Sequence, residues 1–388
     1  MIPALIFFLV CHGVGPAEHF LAMAKVLVES GAEVEFIASG PAFDRIRKEG
    51  TYKVQEFSLE NKNESLAYEI ASLCQGAHRV MTDMGHPFNA EALKALSLQG
   101  HRPIGYYDNR ESFVPGGYSA AVAKSAEQAS MVVFADKAHE KSPIFANIDS
   151  PIDFRQTLKV GLGYYDLNQA DTIFSSRESH ALKARSDFLH HHNVEERQQK
   201  LCVYFGGNND EYFQKAFPAF LESLIEAQRS SDLSSYVFVL QQHPGAKKKG
   251  IEARLLQRYI EGLSEPGAPK FIISSVSTEE ALVVADVALY YQTSMAPLFA
   301  LASIPTLQVG HCMYSDLLIR NGLIDFAGNG RDLIDSLVRL FEHPLDASVK
   351  EGVLEALGVD LECLAALGNC LQRFQRCITC LRITLFAG

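Results

Sequence analysis

The chain has 388 residues, of which 47% are hydrophobic and 21% are charged, and its formal net charge is −11. This length exceeds one typical hydrophobic core and predicts two domains of roughly 150–200 residues each. The negative charge argues against a general nucleic-acid binder, which needs a basic face, and no apolar stretch reaches the ~20 residues that span a bilayer. Eight cysteines in a chain of this length indicate reduced thiols and a cytoplasmic protein.

The first half of the chain alternates short apolar runs with helical patterns. Its first apolar run lacks the basic start and the cleavage site of a signal peptide, so we interpret it as a buried strand. Strands are predicted at 4–11, 34–38, 52–57, 79–84, 103–107, 131–135 and 157–160, and helices at 17–29, 42–48, 64–75, 90–98 and 119–128. Strands that alternate with helices indicate βαβ units and a parallel sheet.

A polar segment with high charge, residues 171–199, follows and is predicted to be a helix plus a linker. The alternation then restarts. Strands are predicted at 201–205, 236–241, 270–274, 287–291 and 306–309, and helices at 211–229, 251–263, 278–284, 295–301, 332–341 and 353–386. We therefore predict an α/β protein of two Rossmann-like domains, 1–170 and 200–388, which face each other across a cleft, with the C-terminal helix packing back.

The first strand ends in a turn, His12-Gly13-Val-Gly15, and Glu18 and His19 follow in the next helix. Two glycines between a strand and a helix let a ligand approach the backbone closely, so we assign Gly13 and Gly15 to the cleft. The side chains of His12, Glu18 and His19 are candidate catalytic bases. An ordinary turn with polar residues on the surface explains the pattern equally well.

Two later strands of the first half end in acidic turns, at Asp83 and at Asp108, and His86 follows the first of them. Asp83, His86 and Asp108 are candidate catalytic bases, and a carboxylate at the end of a strand could deprotonate an acceptor hydroxyl. Each could instead form its turn, because Asp is favoured there for local hydrogen bonding.

Two turns of the second half carry groups suited to a phosphate. Gly206 and Gly207 come directly after a buried strand and permit the close approach of a ligand. His243 ends the next strand, and an imidazole there can donate a hydrogen bond to a phosphate or protonate a leaving group. We interpret the lysines at 247–249 as a solvated charge run.

The turn Gln292-Thr293-Ser294 lies between a buried strand and a short helix. Its two hydroxyls lie beside backbone N–H groups at the start of that helix, where the helix dipole favours an anion. The alternative is that Thr293 or Ser294 only caps the helix.

The segment Val276-Ser277-Thr278 precedes another predicted helix. Ser277 or Thr278 is expected to be its N-cap, and the Val276 backbone is a weaker candidate for contact with a nucleotide base.

Two groups of possible metal ligands are not interpreted as metal sites. The histidines at 190–192 are interpreted as solvated, and the cysteines at 363–380 form one stripe of a helix, which cannot surround a tetrahedral ion. No metal site is predicted.

Together these residues resemble the GT-B class of nucleotide-sugar glycosyltransferases and the related UDP-sugar 2-epimerases. The likeness rests on the turn at His12, the segment 161–165, the Gly206-Gly207 turn, His243-Pro244 and Thr293-Ser294. A His-Pro turn paired with a later Ser/Thr pair is most similar to bacterial sialyltransferases and to teichoic-acid and capsule polymerases. The resemblance implies that these last two motifs hold the phosphate of the donor nucleotide.

The resemblance implies a metal-independent glycosyltransferase that moves a sugar from a nucleotide sugar to a carbohydrate, lipid-linked or protein acceptor, with no further cofactor. A lipid-linked acceptor would add contact with a membrane surface. Related enzymes carry a Glu that holds the ribose, where this chain has Pro297 and Leu298, and this departure counts against an epimerase. The alternatives are an epimerase, a polyol-phosphate transferase of the same fold, or a non-catalytic nucleotide-sugar-binding protein.

Overall fold

A computed structural model describes residues 5–11, 13–29, 31–61, 63–108, 117–134, 159–195, 199–207, 209–243, 250–262, 267–293, 295–310, 317–343 and 345–357. The described chain divides into two compact units. The first is formed by residues up to Tyr165 together with Leu357, and the second by Asp166–Ala356.

The first unit contains a six-stranded parallel sheet of order β3-β2-β1-β4-β5-β6. Its strands are β1 (Leu5–Val10), β2 (Glu33–Ala38), β3 (Lys53–Glu56), β4 (Arg79–Asp83), β5 (Ile104–Tyr107) and β6 (Met131–Phe134). The chain builds outward in one direction from β1 and in the other from β4. The loops after these two strands therefore flank the point at which open α/β sheets bind their ligands.

Helices surround this sheet, namely α1 (Val14–Glu29), α2 (Gly40–Glu49), α3 (Glu64–Leu73), α4 (Phe88–Leu98) and α5 (Gly117–Gln128), with a short 3₁₀ turn at Leu59–Asn61. Alternate residues of β1 point to opposite faces of the sheet. Phe8 stacks on Phe20 of α1 with ring centroids 4.7 Å apart, whereas Phe7 belongs to a separate apolar cluster that includes Phe88 of α4. Both faces are therefore covered, which is why the strands read as continuous apolar runs.

The second unit also contains a six-stranded parallel sheet, of order β12-β11-β10-β7-β8-β9. Its strands are β7 (Lys200–Phe205), β8 (Tyr236–Gln241), β9 (Lys270–Ile273), β10 (Val287–Tyr290), β11 (Thr306–Val309) and β12 (Phe326–Ala327). Here the order reverses between β7 and β10. The prediction of an α/β protein with two Rossmann-like halves is confirmed.

A long helix, α6 (Lys159–His191), leads into the second unit. The later helices are α7 (Phe217–Ser230), α8 (Ile251–Gly262), α9 (Thr278–Val284), α10 (Ala296–Leu301), α11 (Leu317–Arg320), α12 (Gly330–Glu342) and α13 (Ala347–Ala356). A π-helical turn, Tyr212–Ala216, precedes α7. Among the helices of the described ranges, none combines the length and the hydrophobicity needed to cross a lipid bilayer.

Helix α6 is anchored to the second unit by two arginines. Arg177 donates hydrogen bonds to the carbonyls of Leu282 and Ala285 at the end of α9, at 2.7 and 2.6 Å. Arg185 pairs with Asp286 at 2.8 Å, and the other carboxylate oxygen of Asp286 accepts the Leu201 N–H at 2.7 Å. The segment that the sequence marks as a helix plus a linker is therefore, up to His191, a helix bound to the second unit.

Three differences from the predicted elements stand out. The strand predicted at 157–160 is wrong for its described residues, because Lys159 and the residue after it begin α6. A short apolar run does not distinguish a strand from the start of a helix. The two-residue strand β12 was not predicted, and α13 begins at Ala347, before the predicted start of the terminal helix at residue 353. Beyond residue 357, the predicted terminal helix and its cysteines lie outside the described residues.

Candidate functional site

Asp83 lies at the carboxyl end of β4, and its side chain is 2% exposed. One carboxylate oxygen accepts two hydrogen bonds, from the Cys11 backbone N–H at 3.0 Å and from the Asn89 side-chain amide at 2.8 Å. Burial raises the pKa of Asp83 to about 7, and the charge of Asp108 acts in the same direction, whereas the two hydrogen bonds oppose the shift. Asp83 can therefore exchange a proton near neutral pH.

The raised pKa of Asp83 predicts a specific dependence of stability on pH. In the unfolded chain an aspartate titrates near pH ~3.9, so between about pH 4 and 7 the folded protein holds a proton that the unfolded chain has lost. This group therefore lowers the free energy of unfolding as pH rises through that window, by at most about 1.4 kcal/mol per pH unit, and its contribution levels off above pH 7.

Replacing Asp83 with Asn keeps the two accepted hydrogen bonds and removes the titration. We expect Asp83→Asn to gain stability relative to the wild type as pH rises from 5 to 8, measured by urea unfolding followed by circular dichroism. Asp44→Asn, an exposed carboxyl in α2 of the same unit, is the matched control. Parallel pH profiles for Asp83→Asn and the wild type would contradict the assignment.

Asp108 follows β5 and is half-buried. A β-carbon added to Gly15 would lie 3.2 Å from a carboxylate oxygen of Asp108, so the first turn of α1 packs directly beside this side chain. The second glycine, Gly13, is backed by the ring of Pro16, 2.9 Å from where its β-carbon would lie. The structure thus gathers Asp83, Asp108 and the glycine turn at one edge of the first sheet, and His12 lies outside the described residues.

The two other candidate bases of this unit lie on α1 and have partners there. Glu18 forms an ion pair with Arg45 of α2, with one of its two contacts at 2.9 Å. The Nδ1 atom of His19 lies 2.9 Å from the hydroxyl of Tyr106 in β5. Both interactions join α1 to a neighbouring element, so each side chain has a structural role in the unit.

The Gly206-Gly207 turn follows β7 and rests on two aromatic rings. A β-carbon on Gly207 would lie 3.0 Å from the ring of Tyr212 and 3.2 Å from that of Tyr291. One on Gly206 would collide with the Tyr212 hydroxyl and with the carboxylate of Glu252. Only glycine fits at Gly206 without displacing its neighbours, and Gly207 leaves little room for a side chain. The backbone of the turn is therefore held close to the sheet edge.

His243 comes two residues after the end of β8. The residue is exposed to solvent, and desolvation by the surrounding protein nevertheless lowers the pKa of its imidazole. At neutral pH its ring is therefore neutral, and a neutral imidazole offers one N–H donor. Pro244 and the lysines at 247–249 lie outside the described residues.

The turn after β10 differs from the predicted helix cap. Helix α10 begins at Ala296, its N-cap position is Met295, and the Met295 side chain makes no capping hydrogen bond. The hydroxyl of Thr293 instead accepts the Met295 N–H at 3.2 Å, within the turn. Pro297 occupies the second position of the helix and has no N–H, which removes one of the donors that a capping side chain would bind. Thr293, one of the two residues in the capping alternative, is therefore not the N-cap of α10, and the other, Ser294, lies outside the described residues.

The cap predicted before α9 is confirmed at Ser277. Its hydroxyl accepts the Glu280 N–H at 3.2 Å, and the Glu280 carboxylate accepts the Ser277 N–H at 2.8 Å, which is a complete capping box. The carbonyl of the neighbouring Val276 accepts the side-chain amide of Gln241 at 3.3 Å. Val276 is thereby fixed at the carboxyl edge of the second sheet.

Apart from Val276, which follows β9, the candidate donor residues follow three adjacent strands of the second sheet. Strand β7 pairs with β8 on one side and with β10 on the other, all parallel. The glycine turn, His243 and the turn Gln292–Thr293 therefore emerge at one edge, where Gln292 and Thr293 are both half-buried. Backbone N–H groups, an imidazole and a hydroxyl at one edge can together bind an anion such as a phosphate.

Two side chains of this edge escaped the sequence analysis, Tyr212 and Glu252. They lie 40 residues apart in the chain and meet beneath the glycine turn. The one available sign was a glutamate in the first turn of a helix that follows the His-Pro turn. Within the described ranges, no group of three or more His, Cys, Asp or Glu side chains lies close enough to hold a metal ion.

Comparison with known proteins decides the fold. No protein-family model and no curated protein sequence matches the chain. A glycosyltransferase structure from Rickettsia africae matches 97% of this chain and 99% of its own, with a TM-score of 0.67 and 11% identity. A UDP-GlcNAc 2-epimerase from Neisseria meningitidis, bound to UDP-GlcNAc, matches 93% and 100%, with a TM-score of 0.58 and 11% identity. The chain has the GT-B fold.

A third solved structure shows how widely the GT-B fold is used. An α,α-trehalose-phosphate synthase (UDP-forming) from Burkholderia vietnamiensis matches 99% of this chain and 100% of its own, with a TM-score of 0.61 and 10% identity. Identity this low carries the fold and no particular reaction, since one fold hosts many functions.

Proposed function

We propose that this GT-B protein is a metal-independent glycosyltransferase that uses a nucleotide sugar as its donor. The observation that carries the proposal is the match along nearly the whole chain to structures whose names include a glycosyltransferase and a UDP-forming synthase. The anion-binding groups at one edge of the second sheet support it, because a nucleotide sugar presents a phosphate or diphosphate to its enzyme.

In this proposal the donor phosphate binds at the carboxyl edge of the second sheet. The neutral ring of His243 donates its N–H to a phosphate oxygen, and the hydroxyl of Thr293 adds a second donor. The backbone of Gly206-Gly207 lies close to the ligand, since no side chain intervenes. These fixed dipoles stabilise the charge that develops on the leaving nucleotide and take the place of a metal ion.

We assign the removal of the acceptor proton to Asp83 or Asp108 of the first unit. A base works best when its pKa lies near the working pH, which favours Asp83 with its pKa of about 7. Asp108 is half-buried and hence more accessible. The freed acceptor oxygen attacks the anomeric carbon, the bond to the nucleotide phosphate breaks, and the proton stays on the carboxylate.

An epimerase of the same fold is the second candidate, because UDP-GlcNAc 2-epimerases are among the matching structures. Residues Pro297 and Leu298 count against it. Both are buried in α10 and neither carries a carboxylate where the resemblance expects a ribose-binding glutamate. A non-catalytic nucleotide-sugar-binding protein is the remaining alternative.

Product analysis with labelled UDP-, GDP-, CMP- and dTDP-sugars separates these functions. A transferase releases the nucleotide and labels an acceptor only when an acceptor mixture is present. An epimerase converts the sugar without an acceptor. Conversion of the sugar in the absence of acceptor would overturn the transferase proposal, and binding without any turnover across the acceptor panel would favour the non-catalytic alternative.

A further inference from the structure

A buried carboxylate lies beneath the candidate donor site. Glu252, in the first turn of α8, is 0% exposed. Burying a carboxylate is costly unless hydrogen bonds compensate for the lost water. Two are present: the Tyr212 hydroxyl donates at 2.5 Å and the Gln242 side-chain amide donates at 3.0 Å. Burial raises the pKa of Glu252, and these two hydrogen bonds oppose the shift.

Tyr212 lies in an unusual backbone segment. It begins the π-helical turn Tyr212–Ala216 that precedes α7, and such turns are rare and occur frequently at functional sites. The Tyr212 N–H donates to the side chain of Asn209 at 2.7 Å, and its ring lies 5.4 Å from the ring of Tyr291, centroid to centroid. The tyrosine is thereby fixed from both the β7 and the β10 side of the sheet edge.

Together, Glu252 and Tyr212 touch the loops that follow three adjacent strands. They fill the space beneath Gly206 so fully that a β-carbon there would collide with both. The Glu252 carboxylate also accepts a hydrogen bond from the side chain of Gln242, the residue that precedes His243. Through the Tyr212 ring, the pair reaches the start of the turn after β10.

We propose that Glu252 and Tyr212 are positioning residues that hold the glycine turn and His243 in the arrangement that binds the donor phosphate. This inference rests on the proposed function, because it assigns the donor to this edge. Neither side chain contacts the donor itself. They act through the backbone of Gly206 and through Gln242.

Glu252→Gln and Tyr212→Phe test the inference with minimal change in shape. We expect each to fold and to weaken nucleotide-sugar binding about 10-fold to 100-fold, since misplacing binding groups by about 1 Å has effects of this size. The control is Tyr259→Phe, which removes a different buried hydroxyl, on a ring of α8 that packs against Phe271. This variant should bind the nucleotide sugar with unchanged affinity, as measured by calorimetry.

A double-mutant cycle separates positioning from a general loss of stability. Because Glu252 acts in part through His243, Glu252→Gln should lose part of its effect on affinity in a His243→Ala background. Effects that add fully in the double variant, or affinities unchanged in both single variants, would overturn the inference while leaving the proposed function intact.

Hydrogen exchange of the free protein gives a test that needs no ligand. In Glu252→Gln, peptides covering 200–207 and 236–243 should exchange faster, whereas peptides from α12 should not change. Unchanged exchange at the glycine turn would overturn the inference even if the wild type bound no nucleotide sugar. Faster exchange in Glu252→Gln together with an absence of binding in the wild type would contradict the proposed function, and would leave Glu252 as a support of the glycine turn without a donor.

Discussion

Replacing Gly310 with alanine is expected to destabilise the second unit by about 2–5 kcal/mol, since it combines left-handed backbone strain with overpacking. Gly310 follows β11 with a φ of +81°, a conformation that side chains rarely adopt. A β-carbon there would lie 2.7 Å from the carbonyl oxygen of Ala216, the last residue of the π-helical turn. That oxygen belongs to the backbone and cannot rotate away as a side chain can.

Gly322→Ala is the matched control for this substitution. Gly322 has a φ of +65°, but nothing lies within 4 Å of where its β-carbon would be. Its cost should be the backbone strain alone, about 1–2 kcal/mol. The chain has no tryptophan to serve as a fluorescent probe of unfolding. The loss of stability is therefore measured by hydrogen exchange and mass spectrometry on peptides from β7, β10 and β11. Equal destabilisation by the two variants would show that the contact with Ala216 has no effect.

Replacing His243 with alanine is expected to reduce the affinity for the nucleotide-sugar donor by about tenfold or more, because a hydrogen bond to a charged group contributes about 1.5–3 kcal/mol. The imidazole follows β8, next to the strand that carries the glycine turn, and in our proposal it donates to the donor phosphate. The substitution should scarcely change stability, because the side chain is exposed.

The control for His243→Ala is His343→Ala, which removes another exposed histidine of the same unit, at the end of α12. Its affinity for the donor should equal that of the wild type. Calorimetric titration of both variants makes the comparison. An affinity of His243→Ala equal to that of its control would remove His243 from the phosphate site.

Sequence reasoning located most strands to within one or two residues. The reason is physical: strands of a parallel sheet covered on both faces are continuous apolar runs, bounded by polar turns. It succeeded least where a run was short. Residues 159–160 resemble the end of a strand and begin α6 instead, and the strand Phe326–Ala327 is too short to show a pattern.

The candidate site was predicted only in outline. The ends of strands are visible in a sequence, so Asp83, Gly206 and His243 could be placed at sheet edges. Their partners could not, because contacts such as Tyr212 with Glu252 join residues that are distant in the chain. For the same reason, the ion pair between the Glu18 carboxylate and Arg45 could not be predicted.

The central claim is that this GT-B protein binds a nucleotide sugar, and calorimetric titration of the full chain with UDP-, GDP-, CMP- and dTDP-sugars tests it most directly. We predict saturable binding of at least one donor, with one site per chain, competition by the matching free nucleotide, and weaker binding to His243→Ala. An absence of binding for every donor at millimolar concentration would contradict the account.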